Sequence, residues 1–277
     1  MGQVINVLAG LATTFIGYII GRTWQKVIDR MPYRRARIFW QPLLNADTQI
    51  VVSRFELPSW PEPTGAVGGG DAIALREISS YFSRIGLRRT SVVYVDEPTV
   101  DRDNNLILLG GPGSNAVTMD ALRLFNPQVQ LLDPPGEPGQ VHDLVTGKKY
   151  KAEADGARDY GAIIRARSPF NPERWLVIIA GIYGYGTWGG VKMTLENDDF
   201  LERCREREAE HGRTYPAGLQ RLLKDLHIRH NRHKSRTNRQ QWVGLECIFQ
   251  VDVYDRRPYR PEVIVHRRIP PIPPNSG

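Results

Sequence analysis

Short apolar, β-branched runs alternate with helix-like patterns along most of this chain, and this alternation constrains the fold more than any other feature. Ile50–Phe55 and Leu106–Leu109 are typical of buried strands, whereas Asp71–Ile85 carries its apolar residues at the spacing of one helix face. Strands that alternate with helices predict an α/β fold. We therefore expect a doubly wound, largely parallel sheet with antiparallel additions.

The same patterns predict the remaining elements. Further strands are expected at Ser91–Val95, Val129–Leu132, Ala162–Ala166, Trp175–Ala180, Trp242–Tyr254 and Val263–Arg267. Helices are expected at Asn115–Phe125, from about Thr187, and at Asp198–Glu210, with a hairpin at His142–Ala154. These elements place one α/β domain at residues 46–255, followed by an extended, proline-rich tail at residues 256–277.

The N-terminal stretch predicts one transmembrane helix. No charged residue occurs from Met1 to Gly21, and Val4–Ile20 is apolar enough to span a bilayer. About 20 helical residues cross a hydrocarbon layer of ~30 Å. A cleaved signal peptide would need basic residues before this run and a small-x-small site after it, and neither is present. We therefore expect residues 1–21 to form a membrane anchor.

A basic neck at residues 22–45 follows the anchor. It contains Arg22, Lys26, Arg30, Arg34, Arg35 and Arg37, with Asp29 as the acidic residue among them. The positive-inside rule places this flank, and the domain after it, in the cytoplasm. Gly17 and Gly21 form a GxxxG pair, so a homo-oligomer through the anchor is one expectation. The alternative is that glycine is simply common in membrane helices.

The formal net charge of +7 favours an anionic partner. Residues 221–239 concentrate part of that charge. A solvated basic loop is the default interpretation, and attraction to anionic lipid is the next. Aromatic residues do not interleave with the basic ones, which makes a nucleic-acid partner improbable. The chain has two cysteines and no CxxC pair, so no metal site is expected.

Three glycine-rich turns carry the functional signal. Each follows an extended run and opens a helix: Gly68–Asp71, Gly110–Asn115 and Gly181–Thr187. Glycines let the backbone approach an anion, and N–H groups at a helix start point toward it. The expected ligand-binding residues are Gly69, Gly70, Asp71, Gly110, Gly111, Gly113, Ser114, Asn115, Gly184, Gly186 and Thr187. The alternative is that Asp71, Asn115 and Thr187 only cap helices.

Known nucleotide motifs do not account for these turns. None fits G-x-x-x-x-G-K-[ST], which argues against a P-loop. Gly184–Gly189 has the GxGxxG spacing, but the acidic residues ~20 positions later fall in the predicted helix Asp198–Glu210 and not after a second strand, which argues against a standard NAD site. The strings GGGDA, LILLGGPGSN, DYGAIIRARSPFNP and WLVIIAGIYGYGTWGG resemble a group of uncharacterised, membrane-anchored bacterial α/β proteins. That resemblance covers residues 51–191. It implies a nucleotide-handling domain, of the kind used in signalling or defence, and supplies no catalytic residues.

Four acidic residues are candidates for acid–base chemistry: Asp71, Asp96, Glu97 and Asp159. They leave three functions open. The chain is a sensor that binds a phosphate-bearing ligand, an enzyme that cleaves nucleotides or NAD, or a structural membrane protein whose glycines only make tight turns. The sequence names no cofactor.

Overall fold

A computed structural model describes residues 17–18, 21, 33–55, 65–85, 87, 89–125, 127–132, 139–153, 155–209 and 244–269. The predicted basic run at residues 221–239 lies outside these ranges, as do most of the predicted anchor and residues 270–277 of the tail. In the part of the chain so described, no helix is long and apolar enough to cross a membrane.

Five α-helices, one short 3-10 helix (Gln41–Leu43) and ten strands make up the described part of the domain. The helices are α1 (Tyr33–Trp40), α2 (Gly69–Ile85), α3 (Ala116–Phe125), α4 (Gly184–Glu196) and α5 (Asp198–Ala209). The first strands are β1 (Thr48–Val52), β2 (Thr90–Tyr94), β3 (Asn105–Leu109), β4 (Val129–Leu132) and β5 (Gln140–Asp143). The others are β6 (Lys149–Lys151), β7 (Arg158–Arg167), β8 (Trp175–Gly181), β9 (Gly244–Tyr254) and β10 (Arg257–Ile269).

Seven strands form one mixed sheet in the order β10-β9-β7-β8-β3-β1-β2. Strands β8, β3, β1 and β2 are parallel neighbours, and β7, β9 and β10 add to them in antiparallel pairs. Strands β4, β5 and β6 form a second, antiparallel sheet. The prediction of an α/β fold is confirmed at the level of a mixed seven-stranded sheet with helices.

The central strands β1 and β3 are buried along their whole length because both faces of the sheet are covered. Ile50 and Val52 pack into a core that also contains residues of α1, α2, α4 and α5. Val51 faces the other way, into a core that includes residues of α3. A strand buried on both faces reads as a continuous hydrophobic run, which is why TQIVV and NLILL show no alternation.

The predicted strand at Val263–Arg267 is confirmed, but it belongs to a longer strand that takes up most of the predicted proline-rich tail. Residues 257–269 pair with β9 as β10, so the domain extends well past the expected boundary at residue 255. Proline lacks a backbone N–H and is tolerated on edge strands and at bulges. Strand β10 lies at the edge of the sheet, and its pairing is irregular between Tyr259 and Glu262, next to Pro261.

Helices α2 and α4 begin earlier than the sequence predicted. Gly69 and Gly70 belong to α2, and Gly184 begins α4, so Asp71 and Thr187 lie inside helices and are not N-cap residues. A Cβ on Gly70 would overlap with the carbonyl oxygen of Gly184. Glycine therefore allows the starts of these two helices to touch, backbone against backbone.

Candidate functional site

The register of the parallel strands brings the three glycine turns together. Val52 pairs with Leu109, and Leu109 pairs with Ile179, so β1, β3 and β8 end almost level with one another. The chain then leaves β1 and β8 for helices on one face of the sheet, and leaves β3 for α3 on the other. Divergence of this kind opens a crevice at the carboxyl edge of a sheet, where ligands of α/β folds bind.

A cavity of about 330 Å³ occupies this crevice. All three predicted turns contribute to its lining. The predicted ligand-binding residues that line it are Asp71, Gly110, Gly111, Gly113, Ser114, Gly184 and Thr187. Those that do not are Gly69, Gly70, Asn115 and Gly186. The turns therefore meet as a group, although individual glycines within them serve other purposes.

The second turn is held by hydrogen bonds within itself and by a hydrogen bond between the hydroxyl groups of Ser114 and Ser53, the residue that follows β1. Gly110 has a φ of 100°, a left-handed conformation that favours glycine, and a Cβ there would overlap with the hydroxyl of Ser53. The N–H groups of Ser114 and Asn115 both donate to the carbonyl oxygen of Gly111, at 3.1 and 2.9 Å. These two N–H groups are therefore already used and are not free for a ligand.

Asn115 caps helix α3 and is fully buried. Its side-chain oxygen accepts a hydrogen bond from the N–H of Thr118 at 3.1 Å, which is the geometry of an N-cap. Its amide nitrogen donates to the carbonyl oxygen of Leu109 at 3.1 Å, at the end of β3. The capping alternative is thus confirmed for Asn115, whose polar atoms point into the protein and away from the cavity.

Asp71 and Thr187 form the polar floor of the cavity. The hydroxyl oxygen of Thr187 accepts the N–H of Gly181 at 3.2 Å, and the hydroxyl donates to the carboxylate of Asp71. Asp71 is only 6% exposed although it lines the cavity. Burial raises the pKa of Asp71, and the hydrogen bond from Thr187 only partly offsets that effect.

Asp159 supports the third turn from beneath. Its carboxylate accepts hydrogen bonds from the N–H groups of Gly186 at 2.6 Å, Tyr160 at 2.8 Å and Tyr183 at 3.1 Å. Burial raises the pKa of Asp159 to about 6, against the opposing effect of these bonds. Because Asp159 is fully buried and lies outside the cavity lining, it acts as a structural anchor for the start of α4.

Asp96 and Glu97 are not part of the cavity lining. Asp96 forms an ion pair with Arg54, and Glu97 accepts a hydrogen bond from the hydroxyl of Thr99 at 3.1 Å. Of the four acidic candidates, only Asp71 therefore reaches the site. Within the described ranges no three His, Cys, Asp or Glu residues are grouped so as to hold a metal ion.

The apolar walls of the cavity were not predicted. They come from Phe55 after β1, Leu131 and Leu132 at the end of β4, and Ile182 and Tyr183 in the third turn. Phe55 and Tyr183 are 41% and 42% exposed, which is high for aromatic side chains. Leu131 and Leu132 were not predicted, because no sequence pattern near them indicates that the small sheet packs beside the crevice.

The glycines of the site divide into two groups. Gly70, Gly110 and Gly181 are required by packing or by backbone conformation, since a Cβ on each would collide with neighbouring atoms. Gly111 is different, because its φ is not left-handed and a Cβ there would meet only the carbonyl oxygen of Gly181, at 3.8 Å. That Cβ would project into the space between the second and third turns.

Comparison with protein-family models, with curated proteins and with solved structures finds no match to this chain. The resemblance seen in the sequence therefore stays a prediction. The fold and the cavity define an α/β domain with a glycine-lined crevice at the carboxyl edge of its parallel strands.

Proposed function

We propose that this chain is a membrane-anchored protein whose α/β domain binds a phosphate-bearing, nucleotide-type ligand in the cavity. Gly111 is the observation that carries the proposal. Neither packing nor backbone conformation requires glycine at this position, yet it lines the crevice that the two neighbouring turns enclose. Glycine at such a place is explained by a ligand that approaches the backbone closely.

The chemistry of the lining supports a nucleotide more than a simple anion. The first N–H groups of α2 and α4 have no acceptor within their own helices, and the helix dipoles favour negative charge there. In α4 the N–H of Gly186 already donates to Asp159, so the N–H groups that α4 offers to a ligand are those that precede Gly186. The exposed rings of Phe55 and Tyr183 offer apolar surface to a planar base. The described lining contains no Arg, Lys or His, so backbone N–H groups are what it offers to a phosphate.

We further propose that residues 1–21 anchor the chain in the membrane and that the α/β domain lies in the cytoplasm. The support is the uncharged N-terminal stretch followed directly by basic residues. The lipid bilayer is then a permanent partner, and a homo-oligomer through Gly17 and Gly21 remains an expectation of the sequence alone.

Replacing Gly111 by valine tests the ligand proposal. A Cβ at this position meets no protein atom closer than 3.8 Å and faces the cavity, so we expect the valine side chain to occupy the cavity and affinity to fall at least about 10-fold through steric overlap with the ligand. The full-length protein in detergent is titrated calorimetrically with ADP, GDP, CDP, UDP and NAD. Ala116→Val is the matched control, since it adds two methyl groups on the exposed side of α3, outside the cavity lining.

Two results would contradict the proposal. One is that no probe binds the wild-type protein. The other is that Gly111→Val and Ala116→Val bind the same probe equally well, which would leave the second turn as architecture only.

Asp71 favours a second candidate function, the cleavage of the bound nucleotide or NAD. A buried carboxyl group with a raised pKa in a cleft is suited to general acid–base catalysis. Product release during incubation of the full-length protein with the probes distinguishes this enzyme from a sensor, which returns the probes unchanged.

A further inference from the structure

We propose that Asp71 binds the 2′ and 3′ hydroxyl groups of a ribose, so that the site selects ribonucleotides over nucleotides that lack this diol. The inference rests on the proposed function and deepens it, because it assigns the sugar of the ligand to one side chain.

The hydrogen bonds around Asp71 leave it ready to accept donors from a ligand. The N–H of Gly181 already donates to the oxygen of Thr187, which directs the Thr187 hydroxyl proton toward Asp71. A carboxylate offers about four acceptor sites. Because the carboxylate lines the cavity, its remaining capacity faces the space that a ligand would fill.

The charge of the site favours a neutral donor group at Asp71. Burying an ionised carboxylate away from water costs free energy unless hydrogen bonds or a cation compensate for the lost hydration. The described lining supplies no cationic side chain, and a phosphate beside Asp71 would add repulsion to the cost of burial. A vicinal diol donates two hydrogen bonds without adding charge, so it lowers this cost.

The position of Asp71 is consistent with the rest of a nucleotide. It lies in the first turn of α2, three residues after Gly68, whereas Gly111 lies across the cavity on the turn that follows β3. The exposed ring of Phe55 lies near Gly68, about 3.7 Å from where a Cβ on that glycine would be. A sugar at Asp71 would therefore lie close to an aromatic surface that can receive the base.

Calorimetry with matched nucleotides tests this inference. Full-length protein in detergent is titrated with ADP, GDP, CDP and UDP and with their 2′,3′-dideoxy counterparts. Hydrogen bonds to a charged acceptor are strong, so we expect the best-bound ribonucleotide to exceed its dideoxy counterpart by about 10- to 100-fold. Asp71→Asn should weaken the ribonucleotide and leave the dideoxy compound almost unchanged, so that the ratio approaches one.

Asp199→Asn is the matched control, because Asp199 also lies in the first turn of a helix but is exposed and outside the cavity. It should keep the wild-type ratio. If Asp71→Asn does not fold, the wild-type ratio still tests the preference for the diol, and a ratio near one overturns the inference.

Three outcomes overturn the inference. If wild type binds the ribonucleotides and their dideoxy counterparts equally well, the site does not recognise the diol, and the proposed function is unaffected. An equal loss for both compounds in Asp71→Asn shows that Asp71 only supports the helix start. Tighter binding of a cationic probe, agmatine, than of any nucleotide assigns Asp71 to a cation. Failure of every nucleotide to bind, by contrast, overturns the proposed function itself.

Discussion

Asp159 shows how a single buried carboxylate organises the site without touching the cavity. It receives two backbone N–H groups from the third turn and the start of α4, those of Tyr183 and Gly186, and a third from Tyr160, the next residue along β7. The sequence singled out this residue as a candidate acid or base. Its burial and its partners assign it instead to the conformation of the turn, because an anchor with three N–H donors holds the backbone in place.

The pKa of Asp159 predicts an unusual pH dependence of stability. Its ordinary value is 3.8 and the folded value is about 6, so the contribution of Asp159 to stability is full below 3.8 and is lost as pH rises through 6. This difference corresponds to roughly 3 kcal/mol. We therefore expect the unfolding free energy of wild type, relative to Asp159→Asn, to increase as pH falls from 7.5 to 4.

Denaturant unfolding of the full-length protein at several pH values measures this effect. The amide of Asp159→Asn does not titrate, so the change in unfolding free energy that the amide itself causes is the same at every pH. Glu206→Gln, at an exposed position on α5, is the control and should show no comparable trend. A gap between wild type and Asp159→Asn that stays constant or narrows on acidification would rule out the raised pKa.

Arg267 joins the two sheets. From β10 it donates to Asp143 on β5 at 2.6 Å, to the carbonyl oxygen of Gln128 at 2.8 Å, and to Glu246 on β9. Burial raises the pKa of Glu246 despite the bond from Arg267. Burial would also raise the pKa of Asp143, but hydrogen bonds from Arg267 and Thr146 outweigh it and lower that pKa.

The same cluster also positions one wall of the cavity. Leu131 and Leu132, at the end of β4, line the cavity, and β4 belongs to the small sheet that Arg267 joins to the large one.

Replacing Arg267 by methionine should destabilise the protein by roughly 3 kcal/mol at pH 7, because two buried carboxylates lose their cation. The loss should shrink toward pH 4 as those carboxylates take up protons. Arg158→Met is the matched control, since it breaks an exposed ion pair with Asp252 on the same sheet and should cost at most ~1 kcal/mol. Equal losses of unfolding free energy for the two variants, measured by denaturant unfolding, would show that the bonds of Arg267 do not hold the two sheets together.

At the scale of the whole molecule, the predicted anchor decides where the site operates. If residues 1–21 lie in the bilayer and the basic neck lies inside, as we propose, the cavity would face ligands of the cytoplasm. A reporter fused after Gly277 should be active if it works only in the cytoplasm, and inactive if it works only outside.

Deletion of residues 1–21 should move the protein from the membrane fraction to the soluble fraction. An unchanged distribution after this deletion would refute the anchor.

Local patterns in the sequence determined much of the domain. The periodicity of residues 71–85 and the run LILL predicted α2 and β3 to within two residues. Burial of a helix face or of a whole strand requires apolar residues at regular, nearby positions, and that spacing can be read from the sequence. The glycine-rich turns were also visible, since close backbone approach restricts residue type locally. The convergence of these turns followed from the expectation of a parallel sheet, whose strands end at one edge.

Only the tertiary structure decided which residues of the turns face the cavity. Asp71 and Asp159 are both acidic residues within two positions of a glycine in the sequence, yet Asp71 lines the cavity and Asp159 is buried beneath the start of α4. Leu131 reaches the site because Arg267, far away in the chain, holds the small sheet against the large one. Strand order, register and the packing of one sheet on another depend on contacts between distant residues, and a local pattern carries no record of those contacts.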